Sequence, residues 1–126
     1  MTLSETGNNM RAKRAADHFK GLNGAKRLNC AQSVAGVFLD KGLLTENEFS
    51  GLASCGFGRA PNGYCGSLFA SLTLMEKIDA GKIDGLKDEF MAYAGSLNCK
   101  EIRAARKATC LQTVVKSVEL VERLAS

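Results

Sequence analysis

A chain of 126 residues, 45% of them hydrophobic, is long enough to bury a core and too apolar for a disordered tail. Its net charge of +4 includes two basic clusters, Arg11, Lys13 and Arg14, then Arg103, Arg106 and Lys107. They read as solvated helix faces: with no finger spacing and no aromatic-rich stretch, no specific nucleic acid is expected. No apolar run reaches the roughly 18 residues a membrane span needs, and the N-terminus lacks the apolar stretch of a secretory signal.

The expectation is therefore a cytoplasmic protein without membrane contact, in which structural disulfides are uncommon. Five cysteines, an odd number, also argue against a disulfide scaffold. One proline and many Ala, Leu, Lys and Glu residues favour helix.

A single domain over 1–126 is predicted, with residues 1–8 flexible. The first helix should cover 9–20, with Ala12, Ala15, Ala16 and Phe19 on one side, and stop at Gly21 and Gly24. A second should start at Asn29-Cys30, bury Val34, Val37 and Phe38, and end near Lys41-Gly42. Thr45 with Glu48 is a capping-box pattern opening a short helix from 46 to about 54. Residues 55–63 form a glycine-rich loop.

A long helix should follow from Tyr64 or Cys65 to about Ala80, with Leu68, Leu72, Met75 and Ile78 as its buried stripe and Phe69 widening it. Ile83 to Ala94 should be amphipathic, anchored by Leu86, Phe90 and Tyr93 and closed by Gly95. A short helix follows Asn98. The last starts at Thr109 and carries Leu111, Val114, Val115, Val118, Val121 and Leu124, a face broad enough to extend a core or form a homodimer contact. No segment alternates as a strand does. The fold class predicted is all-α, a compact antiparallel helical bundle with a glycine-rich loop.

The cysteines carry the chemistry. Asn29-Cys30, Asn98-Cys99 and Thr109-Cys110 each place a thiol just after a capping residue, and Cys65 stands beside Gly66 at another helix start. The positive end of a helix lowers a thiol's pKa and favours the thiolate, the form that nucleophiles and metal sites use. The spacing contains no C-x-x-C, so a local dithiol motif is absent and any centre must be assembled from distant helices. Gly56 and Gly58 allow close approach to a ligand. Arg59, close in sequence to Cys65, offers a guanidinium to a thiolate or to a redox partner, and Gly66 completes the cofactor-binding candidates. His18, the only histidine, reads as a spectator on a basic helix.

Asn29-Cys30-Ala31-Gln32-Ser33-Val34, Ala53-Ser54-Cys55-Gly56-Phe57-Gly58, Cys65-Gly66-Ser67-Leu68-Phe69-Ala70, and then Cys99 and Cys110 together resemble the C_GCAxxG_C_C family of redox-active proteins. The resemblance covers residues 10–124. It implies a small helical domain whose recurring cysteines serve redox chemistry or hold an iron–sulfur cluster. Cys30 matches the leading cysteine, Cys65 that of the central glycine-rich element, and Cys99 and Cys110 the trailing pair. Ser67 and Ala70 stand where the family commonly has Ala and Gly, both small replacements. Cys55 lies where the family more often has none.

The leading expectation is electron transfer through an iron–sulfur centre held by Cys30, Cys65, Cys99 and Cys110, with a protein redox partner. Zinc is a second occupant for the same thiols. With no metal, the same four cysteines would be the redox-active, catalytic residues of thiol–disulfide exchange, Cys65 attacking and Cys30 or Cys99 resolving. A third reading is a helical interaction module whose cysteines only pack.

Overall fold

The computed structural model describes residues 3–56 and 58–125. Among these residues there are seven α-helices: α1 (Leu3–Lys20), α2 (Cys30–Gly36), α3 (Glu46–Gly51), α4 (Gly66–Asp79), α5 (Ile83–Ala94), α6 (Cys99–Ala105) and α7 (Cys110–Ala125). Among the described residues there is no strand, only an isolated bridge between Tyr64 and Asn98. The all-α bundle expected from the periodicity is the fold observed. Among the described residues, no helix is long and apolar enough to cross a membrane.

Local chemistry explains most boundaries. Asn29 accepts from the Gln32 N–H at 2.8 Å and opens α2. Thr45 and Glu48 form the reciprocal capping box at α3. Gly95, at φ +89°, ends α5 in the left-handed region that favours glycine. Two boundaries differ from expectation. α1 starts at Leu3, within the segment expected to be loose. α2 stops at Gly36, and residues 39–41 tighten into a separate 3-10 turn ending at Gly42.

α7 is the organising element. It packs against α1, α4, α2 and α5, and α4 packs on α2 in turn. The apolar face of α7 is therefore buried inside the bundle. Its innermost residues are Thr113, Val114, Ser117, Val118, Leu120 and Val121, while Leu111, Val115 and Leu124 are only partly buried. α4 shows the same rotation: Leu68, Ser71, Leu74 and Met75 are buried, whereas Leu72 and Ile78 lie at the margin. The hydroxyls account for it. Ser71 donates to the Leu68 carbonyl at 2.7 Å, and Ser67 meets Thr113 at 3.1 Å across α4 and α7. Small hydroxyl residues can face a core when they are so bonded, and they let the helices approach closely.

Arg11 cross-links the bundle. Its guanidinium bonds both oxygens of Asp40, at 2.8 and 3.0 Å, and pairs through Nε with Glu122 at 2.8 Å. It also donates to the Val37 carbonyl and lies 5.1 Å above the Phe38 ring. One side chain thus ties α1 to α7 and to the 39–41 turn.

A cysteine-lined candidate site

Four helix starts meet on one side of the bundle. Cys30 is the first residue of α2, Cys99 of α6 and Cys110 of α7; Cys65 is the N-cap of α4. The caps are those the sequence suggests. Asn98 accepts from the Lys100 and Glu101 N–H groups at 3.0 and 3.3 Å. Thr109 and Gln112 bond reciprocally, at 2.8 and 3.1 Å.

Backbone and side-chain ties then bring the starts together. The Cys65 N–H donates to the Leu97 carbonyl at 2.9 Å, so the start of α4 is pinned two residues before Cys99. Asn29 does a second job through its amide, which donates to the Leu52 and Ala53 carbonyls at 3.0 and 2.9 Å. That pins α2 to the segment leading into the glycine loop. Gly66 is the tightest joint. A Cβ there would stand 2.5 Å from the Cys30 sulfur and 2.7 Å from the Cys55 carbonyl oxygen.

The result is a cavity of about 410 Å³ whose wall includes all four expected cysteines, Cys30, Cys65, Cys99 and Cys110. The remaining lining is Phe19, Arg27, Leu28, Asn29, Gly56, Gly66, Arg103 and Thr113. Cys55 is buried but does not line it. Of the glycine-loop candidates, Gly56 and Gly66 are part of the wall. Gly58 sits behind it, with its Cβ position 3.6 Å from the Cys99 Cβ. Arg59 is exposed and outside the cavity, and Phe57 lies outside the described residues. His18 is also outside: its Nδ1–H donates to the Lys26 carbonyl at 2.7 Å.

The guanidinium of the site is Arg103. It stands one helical turn after Cys99, and its charge favours the Cys99 thiolate. Residues four apart on a helix share a face, which is the signal in the sequence that identifies it. Arg27, three residues before Cys30, is the second cation of the wall.

At Cys99 and Cys110 the helix start does not yield the lowered thiol pKa expected of it. Burial pushes the Cys99 thiol up, and the Cys65 and Cys110 thiols push it further; Arg103 acts in the opposite direction. Burial and Cys65 also push Cys110 up, again opposed by Arg103. Desolvation and like-charge crowding both favour the neutral thiol, and a seven-residue helix such as α6 has only two turns of dipole with which to oppose them. The mutual influence of Cys65, Cys99 and Cys110 also marks them as near neighbours. All three line a small inner recess together with Arg103.

Cys55, Cys65, Cys99 and Cys110 are free thiols. Among the described residues, no three Cys, His, Asp or Glu side chains converge as the ligands of one metal ion would. A polynuclear cluster distributes its cysteines over several irons, and four thiols around a cavity with two cations and, among the described residues, no carboxylate in its wall are a donor set of the right chemistry for it.

No family model, curated protein or solved structure matches this chain.

Proposed function

We propose that this chain is a redox protein working through the cysteine-lined cavity, with Cys30, Cys65, Cys99 and Cys110 holding an iron–sulfur cluster. The observation carrying this reading is the meeting of four sequence-remote thiols around one cavity. A cluster bound there would supply one-electron acceptance and release. Arg103 and Arg27 offset the negative charge of a thiolate-ligated group, and the apolar wall from Phe19 and Leu28 limits water. The resemblance to the C_GCAxxG_C_C motif agrees with this reading, and thiol ligands suit the reducing cytoplasm expected for this chain. A protein redox partner follows from the chemistry, since electrons must enter and leave.

The test is protein prepared without oxygen, then assayed for iron and acid-labile sulfide. Near-stoichiometric amounts of both, lost together on alkylation of the thiols, are expected. Anaerobically reconstituted protein that retains neither would overturn the cluster.

A second reading has its own observation. Cys110 is the one exposed cysteine of the five, and Cys65 and Cys99 border the same recess. In metal-free thiol–disulfide exchange the attacking residue would therefore be Cys110 rather than Cys65, which is buried, with Cys65 or Cys99 resolving. Native-state alkylation with mass spectrometry ranks the thiols. Cys110 modified first supports this order.

A further inference from the structure

The wall of the cysteine cavity is electrostatically one-sided. Arg27 and Arg103 stand on it and, among the described residues, no Asp or Glu does. Among the described residues, neither guanidinium belongs to an ion pair: the pairs present engage Arg11, Lys13, Lys77 and Arg123. The stem of Arg27 packs over Gly21, whose Cβ position is 3.2 Å from the Arg27 Cβ, so the head is carried by a braced stem. Arg103 lines the main cavity, the inner recess and an outer cleft it shares with Cys99 and Gly58. It therefore stands beside the thiols from whichever side they are approached. Unpaired guanidinium groups beside a partly apolar space favour anions, which they bind by charge-assisted hydrogen bonds.

We infer that Arg27 and Arg103 make the thiol cavity an anion-selective site, whose occupant or incoming redox molecule carries negative charge close to the atom that the cysteines contact. This rests on the reading of the four cysteines as one redox centre and names the charge of what that centre accepts. For the metal-free chain, the matching small-molecule class is an anionic disulfide. A cavity thiolate bonds to one sulfur, the S–S bond breaks, and the other half leaves as a thiolate, so that oxidation of the cysteine balances reduction of the reagent.

The test compares two chromogenic disulfides on reduced, metal-free protein, the dianionic bis(nitrobenzoate) and the neutral dipyridyl reagent. Both are attacked by the same thiolate, so the ratio of their rates is insensitive to how far the thiols are ionised. In the wild type, each rate is first normalised to that of a small free thiol. The normalised ratio should favour the anionic reagent, and added salt should erase the preference. Arg27→Gln with Arg103→Gln should reduce the ratio by about fivefold, of the order expected for charge-assisted contacts at a water-connected site. Arg27→Lys with Arg103→Lys should keep most of it. Both arginines are exposed, so the variants should fold, which thermal melts verify.

A ratio unchanged in the glutamine variant, or cavity thiols that react with neither reagent, overturns the inference. Iron and sulfide content, measured separately, decides the cluster reading. The two can therefore fail independently.

Discussion

Gly66→Ala should destabilise the protein by about 2 kcal/mol and lower Tm by roughly 6–10 °C. The added Cβ would meet the Cys30 sulfur at 2.5 Å and the Cys55 carbonyl oxygen at 2.7 Å. The sulfur can swing away, but the carbonyl belongs to the backbone of the glycine loop and cannot. Overpacking of this kind costs about 1–3 kcal/mol, and the better helix propensity of alanine returns a few tenths to about 1 kcal/mol. Because the Cys30 side chain must leave its place, the change should also disturb the thiol centre. Gly85→Ala is the internal control. Gly85 lies within α5 and its Cβ position has nothing within 4 Å, so that change should stabilise by about 0.5–1 kcal/mol. Thermal or denaturant unfolding of the two variants checks the opposite signs. Equal effects would mean that Gly66 is not a close-packed joint.

Arg11→Ala should cost about 3 kcal/mol at neutral pH. The side chain is 14% exposed and its Glu122 partner 12%, so the pair is largely removed from water, whereas Asp40 is 61% exposed and adds less. The loss should vary with pH in a defined direction. The hydrogen bond from Arg11 holds the Asp40 carboxyl down to about 2. A depressed carboxyl pKa stabilises the fold above the unfolded value, about 4, and that contribution disappears as pH falls towards 2. Burial pushes Glu122 the other way, above the usual carboxylate range, with Arg11 and Lys41 opposing the rise. Glu122 therefore favours the fold more when protonated, and ionising it as pH rises costs stability.

Removing Arg11 strips the ionised Glu122 of its guanidinium. The variant should be weakest near neutral pH and should regain stability on mild acidification, as Glu122 takes up a proton. The gap from wild type should narrow as pH falls from neutral through the carboxylate range. Denaturant midpoints measured across that range check it. A constant gap would assign the loss to the Phe38 contact and the bond to the Val37 carbonyl rather than to the carboxylates.

Which parts of this molecule could be read from the sequence follows from the range of the interactions involved. The helix starts at Cys30, Cys99 and Cys110 were legible because a cap acts over three residues, and Asn29, Asn98 and Thr109 each bond as their positions suggest. The rotation of α4 and α7 was not. A scan for apolar periodicity passes over Ser67, Ser71, Thr113 and Ser117, which are buried through helix–helix contact. The meeting of four thiols depends on the Cys65–Leu97 backbone bond and on the span from Asn29 to Leu52 and Ala53, neither of which a spacing pattern encodes.

Arg59 shows the same limit. Closeness to Cys65 along the chain suggested it, but the chain turns through the 3-10 segment Pro61–Gly63, and Arg59 remains outside the cavity. Arg103, farther from Cys65 but one turn from Cys99, is the residue that α6 delivers. The raised thiol pKa values of Cys99 and Cys110 are hidden from the sequence for a related reason: the cap position is local, whereas burial and neighbouring thiols are tertiary.

The central claim is that Cys30, Cys65, Cys99 and Cys110 act as one centre and that Cys55 does not belong to it. The most direct measurement is an anaerobic redox titration of the five single Cys→Ser variants beside the wild type, each first shown to be folded. The account predicts that Cys30→Ser, Cys65→Ser, Cys99→Ser and Cys110→Ser each abolish or displace the same transition, while Cys55→Ser keeps it. Four folded variants that retain the wild-type transition, differing only in stability, would contradict it and leave the cysteines as packing residues.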